Sequence, residues 1–395
     1  VNKSRFTGFS DAIIAIEVTI LILEIEPPAH DSLRDVLGQA GSIIAYITSF
    51  LLIMITWFNH HNIIRAAKHV NLPVYLANTL WVFVMSLIPV ATAWVGRYPL
   101  RVVPEANYVL LSIIWMGTYS LLMHTLTKAN PHQRAEFQLL GNGQQRDVWY
   151  RFTLTGIVLL LTPVFPLAGI GGVIISAVTS MVVISRHTSA IVKMDKERMI
   201  AFTDGIIAII VTLLVLQLAV PMGIHWHSLL SQSTKFGAYA ISFLFIMLVW
   251  YNHHDLFNTT ETVTARIYWD NMLWLLCLSF FPYVTAYVGE FPNSRLAEML
   301  YIIVQLLWSL SYTVMARDLK RLNPRQTEQI DFVGKLTGYS AATLYGGLII
   351  AMIAVLIVPI SGLVVTILLA LVNLVRALRE DRQREAMRAQ KEEHS

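Results

Sequence analysis

Apolar runs of about 17–25 residues, the length that crosses a hydrocarbon core of ~30 Å, recur from one end of this 395-residue chain to the other. Between them no stretch is long and polar enough to form a soluble domain. With 55% of its residues hydrophobic and 14% charged, the chain suits a membrane as its solvent. Lys3 and Arg5 before the apolar run Ile13–Ile25 imitate a secretory signal. The run ends, however, in Glu24, Glu26 and Pro27-Pro28 instead of small cleavage-site residues, so it reads as a mature helix. The one cysteine, Cys277, lies between Leu276 and Leu278 and offers neither an intramolecular disulfide nor a cysteine metal site.

A second constraint is internal. Shifted by 193 residues, the chain aligns with itself without a net insertion. Asp11 falls on Asp204, Trp57 and His60 on Trp250 and His253, and Asn78 and Pro89 on Asn271 and Pro282. Further on, Tyr108 and Trp115 match Tyr301 and Trp308, Asn130 matches Asn323, and Pro166 and Gly169 match Pro359 and Gly362. One register held over so many Trp, His, Asn and Pro positions marks a duplication. The first half carries spans at roughly 9–26, 42–64, 72–95, 106–126, 152–167 and 169–185. An even number of spans returns the chain to its starting side, so the halves are parallel repeats. The expected fold is an all-α membrane protein of twelve transmembrane helices in two six-helix repeats, 1–193 and 194–380, with a charged cytoplasmic tail over 381–395.

Orientation follows from the basic residues. Both termini and the segments 65–71, 127–151, 186–198, 258–267 and 316–338 fall on one face. That leaves only Arg34, Arg97, Arg101, Lys235 and Arg295, of 29 Lys and Arg, on the other. The basic-rich face is cytoplasmic. The net charge of +4 is therefore topological and gives no reason to expect nucleic acid. The expected setting is the lipid bilayer of a cell membrane, crossed many times, with both termini cytoplasmic.

Ionisable groups inside spans cost about 3 kcal/mol each at the centre, so each needs a partner or a job. Asp11 and Asp204 lie ~9 Å inside their helices at 1.5 Å per residue. His60 and His253 lie at a similar depth on the second helices, and Asn78 and Asn271 on the third. Depth matching predicts a polar network within each half: Arg5, Ser10, Asp11, His60 and Asn78 in one, Arg198, Thr203, Asp204, His253 and Asn271 in the other. Two readings fit it: hydrogen-bonded glue between helices, and direct contact with permeating ions or protons. No Ser, Cys or carboxylate constellation recurs with the histidines, which argues against an enzyme. The adjacent His60 and His61 point about 100° apart on a helix, a poor start for a metal site. No catalytic residue, metal or cofactor is expected. Glu17 stands apart, because its counterpart is Ile210. It is either a neutral glutamic acid bonded to a neighbouring helix or a proton-sensitive group that makes the halves inequivalent.

Ile16, Thr19 and Leu23 are spaced three and four apart, so they share a helix face, and the second half repeats them as Ile209, Thr212 and Leu216. Taken alone, such a stripe in a membrane helix serves packing or lipid contact as readily as it lines a pore.

The run Arg5-x-x-x-Phe9-Ser10-Asp11-Ala12-Ile13-Ile14-Ala15-Ile16 recurs as Arg198-x-x-x-Phe202-Thr203-Asp204-Gly205-Ile206-Ile207-Ala208-Ile209. It resembles the signature that opens the first helix of the endosomal/lysosomal potassium channels and their bacterial relatives. Trp57-x-x-His60 and Trp250-x-x-His253 agree with it, as do Asn78 and Asn271, each eleven residues before a proline, Pro89 or Pro282. Thr203 in place of the motif serine and Glu17 in place of an apolar residue depart from it. The resemblance implies a potassium-permeable cation channel with modest preference for K+ over Na+, open also to protons, whose ligand is the permeant K+ ion and not a cofactor. It further implies a pore made by four six-helix units, hence a homodimer with pseudo-fourfold symmetry. The family's hydrophobic constriction on the first helix maps to Ile16 and Ile209. With it, Ile16, Thr19, Leu23, Ile209, Thr212 and Leu216 become candidates for stacked apolar and hydroxyl rings along a pore.

The alternative is a proton-coupled secondary transporter, since twelve helices in two parallel halves also describe the major facilitator architecture. The first helices are uninterrupted and no midplane charged pair is shared by both halves, which counts against it. A membrane scaffold leaves unexplained why a polar network and an apolar face are kept twice on the same helix.

Overall fold

The computed structural model describes residues 2–140, 145–187, 194–218, 220, 224–334 and 338–375, and the regular elements among them are helices. The first helix, α1 (Lys3–Ile20), ends in a 3-10 turn, Leu21–Glu24. There follow α2 (Ala40–Ala66), α3 (Leu72–Met85), α4 (Ile88–Arg97), α5 (Val102–Ala129), α6 (Gln145–Leu161) and α7 (Ala168–His187). The series continues with α8 (Lys196–Leu216), α9 (Ser233–Asn258), α10 (Ala265–Ser279), α11 (Phe281–Glu290), α12 (Arg295–Leu322), α13 (Gly338–Ile357) and α14 (Ser361–Val375). Among the described residues, 8 helical segments are long and apolar enough to cross a membrane, with α3–α4 and α10–α11 each counting as one. The segments expected as fifth and sixth spans are shorter apolar helices.

The third span of each half is not continuous. It breaks at Ser86-Leu87 in the first half and at Phe280 in the second, and Pro89 and Pro282 enter the first turn of the helix that follows. A proline is tolerated there because the N–H it lacks would have no intrahelical acceptor, whereas deeper in a helix it would delete a bond. The proline therefore sets the break.

The chain divides into two compact units, Val1–Ile209 with Thr264–Ser279, and Ile210–Val263 with Phe280–Ser395. The boundary cuts across the sequence repeat, so α10 and the start of α8 belong with the first half. In the first unit α2 packs along α4, and α3 along α5. Ser49 ties these helices together, its hydroxyl 2.7 Å from both Thr92 Oγ1 and Tyr108 OH. In the second unit Ser242 does the same with Thr285 at 2.7 Å and Tyr301 at 2.9 Å.

Two more fastenings recur at the same shift. The Glu105 carboxylate accepts the Ile170 N–H at 2.8 Å in the first turn of α7, and Glu298 accepts that of Leu363 at 2.9 Å in the first turn of α14. Both glutamates are buried, and each satisfies a backbone donor that a helix start leaves open. The carboxylate comes so close that a Cβ added at Gly169 would collide with Glu105, and one at Gly362 with Glu298. Asn130 Oδ1 accepts the N–H groups of Lys68 and His69 at 2.9 and 2.8 Å, while Asn323 Oδ1 accepts those of Glu261 and Thr262 at 3.2 and 2.9 Å.

Candidate functional site

The motif at the start of α1 and α8 builds a buried polar cluster in the first unit. Asn2 caps α1 by accepting the Arg5 N–H. Two turns on, Ser10 and Asp11 face inward and are buried. The Ser10 hydroxyl donates to Phe6 O at 3.0 Å and accepts from Asn78 Nδ2 at 3.0 Å. Asn78 Oδ1 lies 2.9 Å from His60 Nε2. Because an amide oxygen only accepts, His60 carries its proton on Nε2. Its ring stacks on Trp81 with centroids 4.9 Å apart. In the second repeat Asn271 Nδ2 donates to Thr203 Oγ1 at 2.8 Å, and Thr203 donates to Met199 O at 2.9 Å. The threonine thus does the work of the motif serine. His253 is buried and packs against Phe257.

The acid of the motif is partnered differently from the sequence expectation of a network closed within each half. Asp11 meets Arg198 of the second repeat, not Arg5 of its own. Arg198 Nε donates to Asp11 Oδ2 at 2.6 Å and Nη2 to Oδ1 at 2.7 Å, a two-pronged fork, and Nη1 donates to His61 O at 3.2 Å. Trp57 Nε1 adds a third donor to the carboxylate at 2.9 Å. The guanidinium lies over the Trp57 ring, 5.6 Å from its centroid. Phe202 stacks on that indole at 4.2 Å, and Tyr268 at 5.3 Å. The Tyr268 hydroxyl donates to Met54 O at 2.7 Å, and Tyr46 bonds Ser279. Arg5 is exposed and forms no ion pair among the described residues; Asp204 is half-buried on α8.

Depth along a helix had revealed these polar residues, but Trp57, Phe202 and Tyr268 were missed as an aromatic stack. Their signal is the aromatic residue kept in both repeats at all three positions, with Trp250, Phe9 and Tyr75 as counterparts.

The stripe on the first helices is uneven. On α1 Ile16 is exposed, Leu23 half-buried and Thr19 fully buried. The Thr19 hydroxyl is used within its own helix, donating to Ala15 O and Ile16 O. On α8 Ile209 is half-buried while Thr212 and Leu216 are exposed. Within the single chain Thr19 therefore offers its hydroxyl to its own helix and not to solvent. Glu17 is half-buried on α1. Among the described residues no group of three or more His, Cys, Asp or Glu side chains is placed to hold a metal ion.

These features define a multi-pass, all-helical membrane protein in which the same side-chain fastenings are used twice. The sequence profile of the family "Endosomal/lysosomal potassium channel TMEM175" matches residues 5–89 and 198–282, two stretches offset by the repeat shift. Over both stretches the chain is similar to that family. Over 122 residues it is 38% identical to a potassium channel of Chryseobacterium sp. (strain P1-3), covering 31% of this chain and 64% of the relative. The endosomal/lysosomal proton channel TMEM175 of Gallus gallus is 22% identical over 75% of this chain and 69% of its own length. A solved lysosomal potassium-selective channel TMEM175 homologue from Chamaesiphon minutus is 26% identical, covering 46% of this chain and 97% of that one, with a TM-score of 0.39.

Proposed function

We propose that the chain is a subunit of a potassium-permeable cation channel in the cell membrane, with both termini cytoplasmic. Twelve spans form two parallel six-helix repeats, and two chains close a ring of four repeats. The observation that carries this reading is that the repeats meet head to tail. Phe202 and Tyr268 are 3% and 0% exposed against Trp57, whereas their first-repeat counterparts, Phe9 and Tyr75, are 63% and 37% exposed. On the other side Phe50, Met54 and Phe58 of α2 are buried, whereas their counterparts on α9, Phe243, Met247 and Tyr251, are exposed. One contact made within the chain thus leaves one face of each kind for a second copy. A head-to-tail contact of this sort gives a ring when its rotation closes. In that ring Arg5 of one chain pairs with Asp204 of the other, as Arg198 pairs with Asp11.

The relatives' names support a channel, and the resemblance of the first-helix motif together with the exposed Ile16 supports placing the first helices around the axis. Ile16 and Ile209 form the constriction, Leu23 and Leu216 a second apolar ring, and Thr212 the hydroxyls. An ion passes by shedding part of its hydration shell, which K+ yields more readily than Na+, so selectivity is modest beside that of carbonyl filters. Protons are a second permeant species. The chain performs no enzymatic reaction and uses no cofactor.

The test is current through purified protein in planar bilayers under a K+ gradient opposed by Na+, for wild type and for Ile16→Asn with Ile209→Asn. A reversal potential near that of K+, collapsing toward zero selectivity in the double variant, is expected. Folded protein that passes no current at any voltage or pH overturns the reading and leaves the proton-coupled transporter.

A further inference from the structure

The first unit contains a cavity of about 670 Å³ between α2, α5, α6 and α7, within the size range of small-molecule sites. Its walls are mostly apolar, and four polar atoms on its lining residues are buried without a partner: Asn59 Oδ1, Trp81 Nε1, Trp115 Nε1 and Tyr119 OH. Asn59, Trp81 and Trp115 are 5%, 0% and 3% exposed. An unpartnered buried donor costs about 1–3 kcal/mol, and of the three donors here the Tyr119 hydroxyl is the one that distinguishes the first repeat, the indole nitrogens being buried alike in Trp274 and Trp308. Arg134 and Arg151 also line it, and among the described residues no Asp or Glu does. Both arginines lie in the segment assigned to the cytoplasmic side.

The second repeat serves as an internal control. Leu52 becomes Phe245, which packs on Phe281 and Trp308 with centroids 5.0 and 5.2 Å apart. Phe152 becomes Tyr345, whose hydroxyl bonds Thr313 Oγ1 at 2.6 Å and donates to Ser309 O at 3.1 Å. Thr155 and Ser176 become Leu348 and Leu369, and Arg134 and Arg151 become Thr327 and Leu344. The counterpart of Tyr119, Tyr312, gives its hydroxyl to Asn252 O at 3.2 Å. The duplication kept the aromatic frame in both halves, but in the second it bonded the hydroxyl internally, enlarged the small residues and removed both cations.

We propose that this first-repeat cavity is a binding site for an anionic amphiphile, an acyl chain bearing a carboxylate or phosphate head. The chain lies along the apolar walls, and the head accepts from the Tyr119 hydroxyl and faces the two guanidiniums. A free fatty acid and a membrane phospholipid share this chemistry.

Quenching of tryptophan fluorescence by a brominated C18 fatty acid, on the detergent-purified full chain, measures the affinity. Native mass spectrometry of the same protein shows which mass it carries from the membrane. Substituting Thr155→Leu with Ser176→Leu introduces the second repeat's own residues, and Arg134→Gln with Arg151→Gln removes charge. Each pair is expected to weaken binding about tenfold or more, which is ~1.4 kcal/mol, and to erase the adduct, with unfolding temperature unchanged. A phospholipid mass or a fatty-acid mass that disappears in the variants supports the site and identifies the source. The proposal is overturned by unchanged binding in folded variants, by no adduct and no quenching, or by a brominated alkane of equal chain length binding as tightly as the acid.

Discussion

Arg5 and Arg198 are equivalent by sequence and opposite by environment, so one substitution at both positions tests the head-to-tail contact. Arg198→Met removes two donors, at 2.6 and 2.7 Å, from a carboxylate whose side chain is 10% exposed, and a third donor from His61 O. Asp11 is then left buried with the Trp57 indole still donating to it. Removing one member of a buried pair costs about 3–5 kcal/mol. At a melting entropy near 2.1 cal/mol/K per residue, a chain this long loses about 4–6 °C in Tm. Arg5→Met, at an exposed position, costs under about 0.5 kcal/mol within a chain but removes the pairing proposed between chains. The assay is thermal unfolding of the monomeric fraction in detergent, followed by intrinsic fluorescence, with the dimer fraction read separately by light scattering. Adding Asp11→Asn to Arg198→Met relieves the stranded charge, and a coupling of about 2 kcal/mol or more is expected from the cycle. Equal Tm losses in the two arginine variants, or none for Arg198→Met, would refute the assignment of the fork to the second-repeat arginine.

Three further outcomes follow from the recurring fastenings. Gly169→Ala and Gly362→Ala each drive a methyl into a glutamate carboxylate and are expected to cost about 1–3 kcal/mol in a Tm scan, with Glu105→Gln unable to rescue Gly362→Ala. Tyr312→Phe forfeits a bond to Asn252 O and loses about 1 kcal/mol, whereas Tyr119→Phe removes a hydroxyl that has no protein partner and is expected to stabilise delipidated protein by about 1 kcal/mol or more in a denaturant titration. Ser49→Ala and Ser242→Ala each deprive a tyrosine hydroxyl, Tyr108 or Tyr301, of its serine partner, while Thr92 keeps its bond to Ile88 O. Equal losses of about 1–3 kcal/mol are expected, measured by unfolding in detergent.

Sequence reasoning located the polar residues because depth in a membrane is a one-dimensional quantity, countable at 1.5 Å per residue. It placed Ser10, His60 and Asn78 at one level, and they bond there. Counting residues gives height but not which neighbour a side chain turns toward, so the partner of Asp11 was assigned to the nearer arginine in sequence and lies instead 187 residues away. Thr19 is buried for another reason. A threonine in a helix can give its hydroxyl to the carbonyls three and four residues back, after which it packs as an apolar residue and needs no path to line. The breaks before Pro89 and Pro282 were hidden in apolar runs long enough to span without them. The prolines were noticed as repeat markers, but their first-turn position, not their presence, is what ends one helix and starts the next.

The fork between Asp11 and Arg198 joins partners carried by one polypeptide, so its formation is independent of dilution. Tethering raises the effective concentration of one partner at the other to the millimolar range when the connection can span the sites. An identical contact between separate chains has no such help and titrates with protein concentration. In the ring proposed above, the duplicated chain would meet this contact in two kinetic regimes, one completed during folding and one awaiting encounter. Only the second can be adjusted by how much protein a membrane holds.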